Sequence, residues 1–190
     1  MSKDKKIHYR LSPEFVLLGF LYNHPSHGYE LNKQLAEEFG YIWHVSQSQT
    51  YNILNRLVLQ GYITSIAHEQ EKLPPRRLLY LTDAGVQHFN DWLSTPTRCS
   101  VHAIRVEFIT RLYFTQLYYP QKAQEMFRIQ FAAVGEGIKH LRELRANLPD
   151  DQTVNCLALD LRIKLLDSIL GWLKECQEAI APPQTTGNDD

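Results

Sequence analysis

Between Gly61 and Thr82 the spacing of apolar residues changes from a period near 3.6 to a period of 2, and after Thr82 it changes back. This switch is the tightest constraint in the chain. A helix buries positions three and four apart, whereas a half-buried strand buries alternate ones. Tyr62 to Glu69 and Arg77 to Leu81 are rich in β-branched and aromatic residues and read as short strands. Between them, Gln70 to Arg76 is polar and carries Pro74 and Pro75, the composition of an exposed hairpin tip.

Three helical patterns precede the hairpin. Ser12-Pro13-Glu14 opens the first with a cap residue, a proline suited to the first helical position and an acid at the positive end of the dipole. Phe15, Leu17, Leu18, Phe20 and Leu21 make it apolar, and it ends by Asn23. The second runs from His27-Gly28-Tyr29-Glu30 to Gly40, with Leu31, Leu35, Ala36 and Phe39 on one face. The third begins at Ser46, where Ser46 and Gln49 form a capping box, and stops at Gly61. Its buried face is expected to be Ile53, Leu54, Leu57 and Val58. After the hairpin, Thr82 opens a fourth helix ending near Ser94. Three helices, a hairpin and a further helix are the order of a winged helix-turn-helix.

Three longer helical patterns follow, over about residues 102–118, 121–148 and 153–180. In the second of these, Phe127, Phe131, Val134, Ile138, Leu141 and Leu148 recur at steps of three and four, with Arg145 the exception. In the third, Leu159, Ile163, Leu166, Leu170, Leu173 and Ile180 do the same, with Gln177 the exception, and a second stripe (Leu161, Leu165, Ile169, Trp172, Cys176) lies beside it. A helix apolar over so wide an arc must be covered on two sides. A second subunit is the natural cover for one of them, and the expected dimer seam is Leu159, Ile163, Leu166, Leu170 and Leu173. The expected fold is mainly α with a small β-hairpin. It comprises a basic arm (1–11), a winged helix-turn-helix domain (12–95), a linker (96–101), a helical dimerisation domain (102–180) and a disordered tail (181–190).

Composition narrows the function. The 190 residues carry a formal net charge of -1, so no global basic excess points to nucleic acid. The local balance differs: from Ile42 to Tyr80, Arg56, Lys72, Arg76 and Arg77 face only Glu69 and Glu71. Three cysteines, far apart in sequence, suggest neither a disulfide framework nor a zinc ribbon and fit a reducing compartment. With no apolar run long enough to span a bilayer and a lysine-rich start, a cytoplasmic location is expected. No phosphate-binding glycine loop, nucleophile elbow or metalloprotease helix is present, so an enzyme is not expected, nor a cofactor or metal. His24 and His27 straddle Pro25 without a third ligand, and Cys176 reads as a small apolar residue.

The chemistry concentrates on the third helix. Opposite its apolar face lie Ser48, Asn52, Asn55 and Arg56, flanked by Gln47, Gln49 and Tyr51. Solvated helix faces are usually rich in Lys and Glu, and this one has neither. Gln and Asn can pair bidentately with adenine and Arg with guanine, while hydroxyls hold phosphates. Lys72, Arg76 and Arg77 at the hairpin would grip the adjoining backbone. Trp92, Phe108 and Tyr113 are candidates for an effector pocket.

In order and spacing, Leu17-Leu18-Gly19-Phe20-Leu21, His27-Gly28-Tyr29-Glu30-Leu31, Ser46-Gln47-Ser48-Gln49-Thr50-Tyr51, Gly61-Tyr62-Ile63, Pro74-Pro75-Arg76-Arg77 and Tyr80-Leu81-Thr82-Asp83-Ala84-Gly85 resemble the PadR family of transcription regulators. Arg105-Val106-Glu107-Phe108 with Leu112-Tyr113-Phe114 is similar to the start of the helical domain in its longer branch. The resemblance implies a homodimeric repressor on near-palindromic double-stranded DNA, released by a small, often aromatic, effector. It also implies that the third helix is the recognition helix, Tyr51 a phosphate contact and the segment from Pro74 to Arg77 the wing. Family members often carry proline after this tyrosine; here the residue is Asn52. The alternative is a winged-helix protein-interaction module without specific DNA binding.

Overall fold

The computed structural model describes residues 12–70, 73–149 and 151–180, the side chains of 67–70 and 73–76 excepted. The expected basic arm, the tail and Lys72 lie outside the described residues. The chain divides into two compact units, Met1–Thr95 and Pro96–Asp190.

The first unit is built around α1 (Glu14–Asn23), in which Phe15 to Leu21 are all buried. A helix apolar on every side needs cover on every side. That cover comes from α2 (Gly28–Phe39), α3 (Gln47–Leu59), α4 (Asp83–Ser94) and the strand β3 (Leu73–Leu81). Phe15 stacks on Trp92 with ring centroids 4.5 Å apart, closing α1 against α4. The sheet has strand order β1-β3-β2, with β2 spanning Ile63–Gln70. β1 is only Ser26–His27, paired antiparallel with Leu78 and Leu79. Its strand character comes from that pairing alone, and nothing local predicts it.

The hairpin departs from expectation in one respect. Leu73 to Arg76 belong to β3 rather than to a loop, with a register shift between His68 and Gln70. Proline is tolerated at such places because it removes only a donor that has no partner. β1 pairs β3 only at Leu78 and Leu79, so at Pro74 and Pro75 β3 is an edge on that side.

Two glycines of the quoted motifs have a steric cause. A Cβ on Gly85 would sit 2.1 Å from the Tyr62 carbonyl oxygen, so only glycine lets α4 approach the turn between α3 and β2 this closely. Thr82 holds the same junction: its hydroxyl accepts from the Gly85 amide (3.1 Å) and donates toward the carbonyls of Gly61 (2.7 Å) and Tyr62 (3.0 Å). Gly61 adopts φ 75°, the left-handed conformation that ends α3.

The second unit opens with α5 (Val101–Ala103), a π turn (Ile104–Phe108) and α6 (Ile109–Tyr118), then a 3-10 turn (Pro120–Lys122). The long helices α7 (Ala123–Ala146) and α8 (Thr153–Ile180) follow and pack along one another. Ile104, Phe108, Leu112, Phe127, Val134, Ile138, Leu141, Leu166 and Leu173 form its core. The two polar exceptions in the helix stripes both make bridges between the helices. Arg145 donates to Asp160 (3.1 Å), and Gln177 donates to Gln124 (2.7 Å). Arg142 adds a third link, to Asp167 (3.1 Å), and the pairings run in opposite directions along α7 and α8. Between the π turn and α6, Glu107 and Arg111 form an ion pair that is almost wholly buried.

Candidate nucleic-acid interface

The geometry of α3 follows from its ends and its underside. At the start, the Ser46 amide donates to the Gln49 side chain (2.8 Å) and the Gln49 amide donates to the Ser46 hydroxyl (3.3 Å), as the capping box requires. Beneath, Thr50, Ile53, Leu54 and Leu57 are buried. Thr50 takes the place that sequence reasoning gave to Val58, which is more than a third exposed. Positions 50, 53, 54 and 57 are the true helical stripe, and Thr50 carries a methyl group as well as a hydroxyl. That hydroxyl donates to the Asn32 side chain at 2.8 Å, tying α3 directly to α2.

What remains on the outside is the polar set expected from sequence. Gln47, Ser48, Gln49, Tyr51, Asn52, Asn55 and Arg56 are all exposed. Leu59, 88% exposed, continues that face at the C-terminal end of the helix. Arg56 is the only Lys, Arg, Asp or Glu on α3, and it is engaged: its Nη2 donates to Glu14 at the start of α1 (2.6 Å) and lies 3.4 Å from the Ser12 hydroxyl. Sequence reasoning missed Glu14, because 42 residues separate it from its partner. A groove of about 660 Å³ runs along this flank, lined by Glu14, Trp43, His44, Gln49, Asn52 and Arg56 among others.

The opposite flank is set by Gly28, where an added Cβ would meet the Tyr51 ring at 3.0 Å. Here the HGYE motif does several things at once. Glu30 accepts from the His27 amide (3.0 Å), the Ser26 hydroxyl (3.1 Å) and the Tyr29 hydroxyl (3.2 Å), closing the start of α2. The His27 amide leads these in holding the Glu30 carboxyl below the usual carboxylate range. His27 Nδ1 lies 3.0 Å from the Arg77 carbonyl, which couples α2 to the strand of the wing. The Arg77 side chain is exposed, whereas of Arg76 only the backbone is described, paired with His68.

Residues 17–91 match the Transcriptional regulator PadR-like family. Over this segment, less than half of the chain, the sequence is similar to that family. Among known proteins it is similar to the negative transcriptional regulator PadR of Bacillus subtilis (strain 168), with 29% identity over 117 residues. That match covers 62% of this chain and 64% of the relative, so it spans less than two thirds of the relative's length. Among solved structures, Bacillus subtilis PadR in complex with operator DNA gives a TM-score of 0.44 at 24% identity, over 88% of this chain and 98% of that one. The protein smu.1604c of Streptococcus mutans UA159 gives 0.45 at 20% identity, over 88% and 99%. The PadR-like motifs quoted from the sequence thus map onto capping (Ser46, Gln49, Thr82), close approach (Gly28, Gly85) and the coupling of α2 to the wing (His27).

The remaining candidates fall elsewhere. Trp92 is buried in the first unit between Phe15 and Phe89, and Phe108 is buried in the second beside Phe127 and Trp172. Tyr113 is half-buried, edge-on to Phe114. The expected dimer seam needs correction. Leu166 and Leu173 lie in the core of their own unit, and Leu159, Ile163 and Leu170 pack against that core. The exposed stripe of α8 is instead Val154 (79%), Leu157 (63%), Leu161 (58%) and Leu165 (42%). Both stripes have helical spacing, and the one facing α7 is buried within the chain.

Proposed function

We infer that this chain is a cytoplasmic, sequence-specific DNA-binding transcription regulator that acts as a homodimeric repressor and not as an enzyme. The observation that carries this is the outer face of α3. Five uncharged side chains, Gln47, Ser48, Gln49, Asn52 and Asn55, stand exposed on a helix whose start is capped and whose underside is fixed by Thr50, Ile53, Leu54 and Leu57. Amide side chains on a rigid helix suit hydrogen bonding to base edges in a major groove. Arg77 on β3, with Lys72 and Arg76 close to it in sequence, suits the flanking phosphates. The PadR-like match over residues 17–91 supports the same reading, and the name of the Bacillus relative supports repression.

The dimer is supported by the α8 stripe from Val154 to Leu165. A run of four exposed apolar residues on one helix face is rare on a monomer surface and common at interfaces. Two α3 helices related by a two-fold axis would read half-sites about 10 bp apart, or a multiple of that, in a near-palindrome. A small aromatic molecule, titrated into the preformed DNA complex, is the expected release signal. The exposed Val58 and Leu59 at the end of α3 favour a second reading, a protein-interaction module.

Fluorescence anisotropy separates the two. The full chain is titrated against a duplex from upstream of its own coding region and against a scrambled duplex, at several salt concentrations. Regulation predicts preference for the upstream duplex with log affinity falling linearly in log salt. Weak, equal binding to both, together with failure to enrich any sequence from random DNA, would leave the protein-interaction module.

A further inference from the structure

A guanidinium can hold a guanine edge in two bidentate ways: end-on through Nη1 and Nη2, or side-on through Nε and Nη2. Both need Nη2. In this protein the Nη2 of Arg56 donates to Glu14 at 2.6 Å and lies 3.4 Å from the Ser12 hydroxyl. The anchor is well founded. Glu14 sits in the first turn of α1, where the helix dipole favours a carboxylate, and its side chain is only 19% exposed against 47% for Arg56. Arg56 also lies nearly three turns beyond the capped start of α3, on the flank nearest α1 rather than at the middle of the exposed face. With one Nη2 hydrogen on Glu14 and the other directed at the Ser12 hydroxyl, the start of α1 holds the single cation of α3 away from bidentate base reading, and the polar face that is left consists of amides and hydroxyls.

We propose that Glu14 is a specificity-determining residue: by holding Arg56 against α1, it leaves base reading to Gln47, Gln49, Asn52 and Asn55 and so biases the operator positions under α3 toward adenine and thymine. The assignment rests on the DNA-binding reading above. Amides pair bidentately with adenine N6 and N7, whereas arginine pairs with guanine O6 and N7. Glu14 acts from outside the recognition helix, through a partner that touches the DNA only when released.

Selection from a random duplex pool with the full chain tests this, comparing wild type, Glu14→Gln, Arg56→Ala and the double variant. Wild type is expected to enrich A·T pairs under α3. Glu14→Gln keeps the shape of the side chain but removes its charge, and is expected to add a guanine at one position of each half-site with at least fivefold enrichment. Arg56→Ala is expected to reproduce the wild-type preference, and the double variant to lose the added guanine. A guanine selected by wild type and lost in Arg56→Ala would overturn the assignment while leaving DNA binding intact. An unchanged preference in Glu14→Gln would do the same. No enriched sequence at all, from protein folded by circular dichroism, would remove the DNA-binding reading and this assignment with it.

Discussion

Gly85→Ala should be among the most damaging single-methyl additions available to the first unit, and the structure says why. The new Cβ would lie 2.1 Å from the Tyr62 carbonyl oxygen and 2.8 Å from a methyl group of Leu81. The carbonyl cannot swing away freely, because it accepts from the Thr82 amide (3.1 Å) and shares the single proton of the Thr82 hydroxyl (3.0 Å) with the Gly61 carbonyl. Relief requires the start of α4 to lift from the turn that follows α3, which stretches both bonds. Forcing a methyl group into a packed site costs about 1–3 kcal/mol, and two weakened hydrogen bonds add about 1 kcal/mol each. The helix propensity gained by replacing glycine returns at most about 1 kcal/mol. The net loss is about 3 kcal/mol, or a fall of roughly 15 °C in the melting temperature of a unit this size. Gly135→Ala is the control, because its added Cβ meets nothing within 4 Å and should raise the melting temperature slightly. Calorimetry on the full chain reads both. A Gly85→Ala melting temperature within about 3 °C of wild type would refute the close-approach argument.

Other perturbations follow from the same structure. Glu107→Ala would leave Arg111 buried without its carboxylate and should cost about 3–5 kcal/mol, read as a shift in the urea midpoint, whereas loss of an ordinary surface pair would barely register. The His88 imidazole, stacked 4.1 Å from the Tyr62 ring, is pushed below the usual histidine range mainly by burial, with Glu14 and Asp91 opposing. The unfolded chain therefore takes up this proton first on acidification. The contribution of His88 is full above the ordinary histidine range and is lost as the pH falls from there toward the depressed folded value. Thermal scans between about pH 7.5 and pH 5.5 should show wild type losing more stability than His88→Phe, and parallel losses would contradict this. Leu161→Glu places a charge in the middle of the exposed α8 stripe. It should convert a dimer to a monomer by light scattering with little change in helix content, while a dimer that persists would move the seam elsewhere.

The sequence was most legible where a feature is local. The capping box of Ser46 and Gln49, the stop at Gly61 and the Thr82 cap depend on neighbours within four residues, and each lies where composition puts it. Features made by pairing across long separations were not legible. β1 is a strand only because Leu78 and Leu79 reach it, and β3 runs through Pro74 and Pro75 where β1 no longer pairs it. The π turn at Ile104–Phe108 carries no local signal. On α8 two apolar stripes stood side by side, and periodicity does not say which one faces α7. The site shows the same division. The polar face of α3 was readable from its wheel, whereas the capture of Arg56 by Glu14 appears only once α1 is folded against α3.

The central claim is that the amides of α3 read bases, and the most direct measurement is the binding preference of Asn52→Ala/Asn55→Ala. Both residues are exposed, so stability should hold. If they read bases, the ratio of affinities for selected and scrambled duplexes should fall at least about tenfold, since each lost bidentate contact is worth about 1–3 kcal/mol. Affinity for the scrambled duplex and its salt dependence should stay as they were. A ratio that survives both substitutions would contradict the account and place recognition outside this helix face.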